Sequence, residues 1–314
     1  MNRFLLAAAV PLAALAMSPA ARAHAVCGAR IFPVTLTLDD PGVSDEVSLP
    51  AFTFTNNAAA GSREYDFGFE WDKTITPNFG VGVASSYNIY ENAGEGTRGG
   101  WDNLDFSAKY SRCVSEQHEF IVALGVDREM GRTGTAATGA DDYGATSPTL
   151  YFGKGLGDLP VPALRPLAIT GQFSYTIADK SLKATQVTDP DTGLMSLQFN
   201  RGNENRYFGG FSVQYSIPYL QSQVKNYELP DFIGRLVPLV EVNWTSPATA
   251  PSQQGTTWTI APGVIYMGDW FEVGVEALIP ANKAAGTNVG AVALFHMFLD
   301  DLLPTSVLGR PLFP

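Results

Sequence analysis

Beyond Met17, this 314-residue chain has no long apolar run. No later stretch approaches the roughly 18 uninterrupted apolar residues of a transmembrane helix, which excludes a helical membrane protein. Basic residues are short as well: 20 Lys and Arg stand against 31 Asp and Glu, for a net charge of −11. So acidic a chain excludes nucleic acid as a partner. Charged residues make up only 16% of the sequence, and no low-complexity linker or charge block divides it. One domain is expected. Histidine is confined to His24, His118 and His296, with no serine motif near His296, so an esterase or protease site has little to build on. An N-terminal His24 offers an amine and an imidazole to copper but reads as simply the residue that follows a cleavage site, and Asp39, Asp40, Asp45 and Glu46 lack the ligand spacing of a calcium loop. No cofactor is expected.

What is present begins with a leader. Arg3 precedes the apolar run that ends at Met17, and Ala21-Arg22-Ala23 supplies an A-x-A cleavage site. Residues 1–23 are thus expected to be a signal peptide. Its removal takes Arg3 and Arg22 and no acid, leaving 18 basic residues against 31 acidic ones, or −13.

The stretch 63–90 sets the pattern for the rest. Tyr65, Phe67, Phe69 and Trp71 alternate with Glu64, Asp66, Gly68 and Glu70. After Pro77-Asn78 the alternation resumes with Phe79, Val81, Val83, Ser85, Tyr87 and Ile89. A strand sends successive side chains to opposite faces, so one face is aromatic and the other acidic or small. The apolar face lies either on a second sheet, as in a soluble sandwich, or on lipid, as in a closed barrel.

The same period recurs at 47–55, 103–112, 119–127, 149–154, 166–177, 206–217, 235–245, 257–266, 271–277 and 289–298. Twelve segments of about ten residues are the signature of an antiparallel up-and-down transmembrane β-barrel, an all-β fold. Aromatics at strand ends (Trp71, Tyr110, Tyr215, Trp244, Trp258, Tyr266) suit two interfacial girdles. With both termini in the periplasm, the long connections 91–101, 128–147, 178–205, 246–255 and 280–288 all fall outside. Against this pattern stand Pro238 and Pro262, each deleting a ladder bond, the long inner connection 218–233, and a possible extra strand at 194–200. The expected organisation is a signal peptide (1–23), a periplasmic N-terminal segment (24–46), a barrel (47–298) and a C-terminal tail (299–314).

A signal peptide, a dozen alternating strands and a glycine-rich lining together resemble the outer-membrane transporters of Gram-negative bacteria grouped with the phenol-degradation (MetA-pathway) barrels. The resemblance implies insertion by the barrel assembly machinery, outer-membrane lipid as the surroundings, and passage of a small solute. The chain departs from the usual barrel ending, because Phe298 is followed by a tail in which Phe313 is only penultimate.

The lining is the candidate site. Inward positions include Glu64, Asp66, Glu70, Asp105, Asp127, Glu241, Glu272 and Glu276, with Lys109, Arg206 and Arg235 as the few bases. Carboxylates on the lipid face would be costly, so their shared parity points to a polar lumen. Inward Val237, Leu239, Ile265, Val292, Leu294 and Phe298 make part of that interior apolar. The expectation is a narrow, partly plugged, acid-lined channel or transporter. A structural or adhesive barrel, a barrel enzyme and a soluble β-sandwich binding protein are the alternatives.

The two cysteines, Cys27 and Cys113, both fall on the periplasmic side. An even count in an exported chain predicts a disulfide. Closing that loop stabilises by about 4–5 kcal/mol in the chain-entropy model. It would also hold the N-terminal segment across the periplasmic mouth.

Overall fold

A computed structural model describes residues 25–313, apart from 58–60, 93, 95, 181–182, 189–192, 200–202 and 250–254. The leader and His24 therefore lie outside the described residues.

Twelve strands close into one antiparallel barrel. They are β1 (Glu46–Asn57), β2 (Ser62–Thr76), β3 (Phe79–Asn92), β4 (Leu104–Ser115), β5 (Phe120–Met130) and β6 (Ala145–Gly155). The second half comprises β7 (Leu167–Ala178), β8 (Arg206–Tyr215), β9 (Leu236–Pro247), β10 (Thr257–Met267), β11 (Phe271–Pro280) and β12 (Gly290–Phe298). Each strand pairs with its neighbours in sequence, and β12 pairs with β1 to close the ring. Closure leaves no free edge.

Register puts the apolar parity outside. Phe67, Trp71, Val81, Phe106, Leu124, Phe173, Phe211, Val240, Trp258 and Val275 are all exposed. Charges are almost absent from that band, as a hydrocarbon environment requires. Aromatics cluster at both rims. One rim has Trp244 on Trp258 at 5.2 Å and Tyr175 on Tyr207 at 4.9 Å. The other has Phe232 on Tyr266 at 5.4 Å and Phe271 beside Trp270 at 4.9 Å. An apolar belt between two aromatic girdles, on a closed barrel, makes this an outer-membrane protein.

Three connections differ from the sequence reading. Residues 91–101 are not a free loop: Gly96–Trp101 is a strand that pairs back on β3 and continues β4 past an irregularity at Asp102-Asn103. The candidate strand at 194–200 belongs to a separate hairpin, Ala184–Thr188 with Met195–Phe199, so barrel parity is kept. The long inner connection between β8 and β9 holds short helical turns, Ile217–Tyr219, Leu220–Val224 and Asp231–Gly234, which cap the mouth. Pro238 and Pro262 do sit in the wall, opposite Val264 and Val240. Arg235, read as lumenal, instead lies at the rim and bonds Asp231 and Asp269 at 3.1 and 2.6 Å.

A plugged lumen as the candidate functional site

The interior is filled by the chain's own N-terminal segment. A small hairpin, Ala25–Cys27 with Arg30–Phe32, sits at the inner mouth, where Ala25, Cys27 and Phe32 pack on Ile121 and Ala168. The disulfide Cys27–Cys113 ties it to β4. No described cysteine is free, so thiol reagents should find none in the unreduced mature protein. Two labelled thiols before reduction would contradict the bond.

From the hairpin, residues 33–43 run around the inside of the wall. Inward glycines leave the holes that the segment fills. A Cβ on Gly274 would lie 2.5 Å from Leu36, one on Gly210 2.6 Å from Leu38, and one on Gly80 2.8 Å from Val43. Leu36 also packs on the buried cluster Val237, Leu239, Ile265 and Met267. A strand at each of these places can therefore approach the segment closely only without a side chain.

Polar anchors complete the fit. Glu241 accepts from the Thr37 amide at 2.7 Å and the Thr37 hydroxyl at 2.6 Å. Glu272 accepts from the Val34 amide at 3.1 Å, and Gln172 from the Asp39 amide at 2.8 Å. Lys109 pairs with Asp39 at 2.6 Å and donates to the Asp40 carbonyl at 3.2 Å. These bonds satisfy backbone groups that an extended segment inside a barrel would otherwise leave without partners.

Arg30 is the deepest anchor, with no exposed surface. It donates to Glu119 at 3.1 Å and to the carbonyls of Pro166 and Arg165 at 3.0 and 2.6 Å. Its guanidinium lies 3.6 Å from the centre of the Tyr219 ring. Tyr219 in turn donates to Glu119 at 2.7 Å. Burial, then the Glu119 bond, push the Tyr219 phenol up to about 12, so it stays a donor at any ordinary pH.

The sequence-predicted lining thus divides. Glu241, Glu272 and Glu276 are inward but buried, at 0%, 1% and 4% exposure, so they face packed protein and no open water. Glu276 lies across Gly263 beside Glu241. Lys109 is bound to the plug. Glu64, Asp66, Glu70, Asp105 and Asp127 are only half-buried. Glu70 and Asp105, with Asp102 and Ser86, wall a cavity of about 450 Å³ whose floor is residues 34–39. A second cavity, about 550 Å³, lies towards the outer mouth and is lined by Glu64, Tyr90, Arg63, Lys283 and Asn288. Arg206 is exposed at the outer end of β8.

Sequence reasoning missed one constellation. His296 Nδ1 meets Ser48 Oγ at 2.8 Å, and His296 Nε2 meets Glu46 at 3.4 Å. A serine does stand beside His296, 248 positions away in the chain. All three groups are buried, and they tie β12 to β1 beside the register shifts both strands make there. Of the residues considered for calcium, Asp39, Asp45 and Glu46 point to three separate partners, Lys109, Lys73 and His296.

No family model matches the sequence, and no curated protein matches it. Solved structures do. An outer membrane channel from Pseudomonas putida F1 aligns with a TM-score of 0.57 at 10% identity, covering 85% of this chain and 99% of that one. The NanC porin gives 0.46 at 10% identity over 80% and 98%, and the KdgM porin 0.44 at 9% over 81% and 98%. At such identities the first of these speaks for the fold alone.

Proposed function

We propose that the chain is an outer-membrane channel or transporter for small solutes, held closed in this state by its own residues 25–45. The observation that carries the reading is the built fit between that segment and the wall: glycine holes, buried carboxylate anchors and a covalent staple. A barrel with a purely structural role needs only a packed core, whereas here the filling is one continuous strap that leaves solvent-sized cavities on its outer side. The channel named among the aligned structures supports the same reading.

The half-buried carboxylates Glu64, Asp66, Glu70 and Asp105 line the space a solute would cross, so cations should be favoured over anions. Planar-bilayer reversal potentials test this. The double variant Asp66→Asn with Asp105→Asn should lower cation preference, and Glu272→Gln with Glu276→Gln should leave it unchanged because those groups meet no solvent. Anion selectivity, or an effect of the second pair only, would refute the acid-lined passage.

A further inference from the structure

The C-terminal tail occupies a place that the lumen does not explain. In β2, Trp71 faces outward and pairs with Val83, and Lys73 follows on the same face, paired with Val81. Asp45 stands one strand step before Val47, which pairs with Trp71. At the inner rim of the wall, Lys73 on this outward parity forms an ion pair with Asp45 at 2.6 Å, and the Thr74 amide and hydroxyl donate to the same carboxylate oxygen at 2.7 Å. Charges there would face lipid, yet their side chains are only 1% and 10% exposed.

The tail covers them. Lys73 donates to the Arg310 carbonyl at 2.8 Å, and the Asp45 carbonyl accepts from the Leu299 amide at 2.7 Å. Beyond the last β1–β2 pair, Leu312 and Phe313 donate to the Thr74 and Ile75 carbonyls at 3.2 and 2.8 Å. The tail therefore wraps the outside of the barrel at its rim. It starts beside the aromatic girdle as well, since the Trp270 carbonyl accepts from the Phe298 amide at 2.9 Å.

Having satisfied its backbone against the wall, the tail turns Leu302, Leu303, Val307, Leu308, Leu312 and Phe313 outward, all exposed. We propose that residues 299–313 form an interfacial collar that binds the phospholipid surface of the periplasmic leaflet, seated at the boundary of headgroups and acyl chains. Continuity with the lipid-facing girdle names the occupant: the same membrane that covers Tyr266, Phe271 and Trp270 meets the tail next. An amphipathic segment lying in that plane gains by burying its apolar side chains, while Asp300 is already packed against the protein and Asp301 stays exposed.

The test uses nitroxide labels on Leu308→Cys and Leu312→Cys, in the full mature chain with its disulfide intact, in phosphatidylethanolamine–phosphatidylglycerol vesicles. Asn226→Cys, exposed on the β8–β9 connection, is the water reference. Heat-modifiable gel mobility checks that each labelled barrel has formed, and Leu303→Cys replaces either variant that fails. Collisions with oxygen relative to a nickel chelate should be several-fold higher on the tail than at residue 226. A ratio equal to the reference would place the tail in water and overturn the proposal. Protection from both reagents would overturn it too, because a protein surface would then be the occupant.

Discussion

Replacing Arg30 by alanine is expected to release the plug from the inner mouth. The substitution removes a fully buried cation, leaves the Glu119 carboxylate with only its neutral Tyr219 and Gly157 donors, and takes a donor from two backbone carbonyls. Breaking a buried pair from one side costs about 3–5 kcal/mol. The cost falls on the strap, because the twelve-strand ladder contains none of these bonds. Amide exchange in residues 25–45 should therefore rise by orders of magnitude, with strand amides protected as before. Arg30→Lys should recover little: one ammonium cannot reproduce the fork that serves a carboxylate and two carbonyls while lying over a ring. Unchanged exchange in the segment would mean that shape, not this anchor, holds it.

The second large effect comes from filling a hole. Gly274→Leu puts a side chain where Leu36 now sits, because even a Cβ would meet Leu36 at 2.5 Å. Overpacking typically costs about 1–3 kcal/mol. The β11 backbone, paired on both sides, cannot yield, so the strap must move. Single-channel openings should become longer and larger, and shortening the knob in the same chain (Leu36→Ala) should restore the closed behaviour. Failure of that rescue would refute the knob-and-hole fit.

The barrel was legible in the sequence because a strand's period is two and lipid enforces it residue by residue. Phe67, Trp71, Phe106 and Val275 announce their face, and so do Glu241 and Glu272. What those glutamates touch was not legible. Their partners are backbone amides of Val34 and Thr37, 238 and 204 positions away, and an amide carries no side-chain signal. Gly210 and Gly274 read as ordinary lining for the same reason: a hole is visible only once its knob is known. Ser48 and His296 come together through closure of β12 on β1, which periodicity implies but cannot align. The cysteine pair was readable, because exported chains oxidise even-numbered thiols and topology put both at one rim.

Proposing that the strap closes a passage commits the protein to one comparison above others. Planar-bilayer conductance of the mature chain should be set beside that of a chain lacking residues 25–43 and carrying Cys113→Ser. The intact protein should pass little current, and the strapless barrel should show stable, cation-preferring openings at least tenfold larger, as expected when a constriction is removed from a pore. Equal conductance in the two would contradict the account.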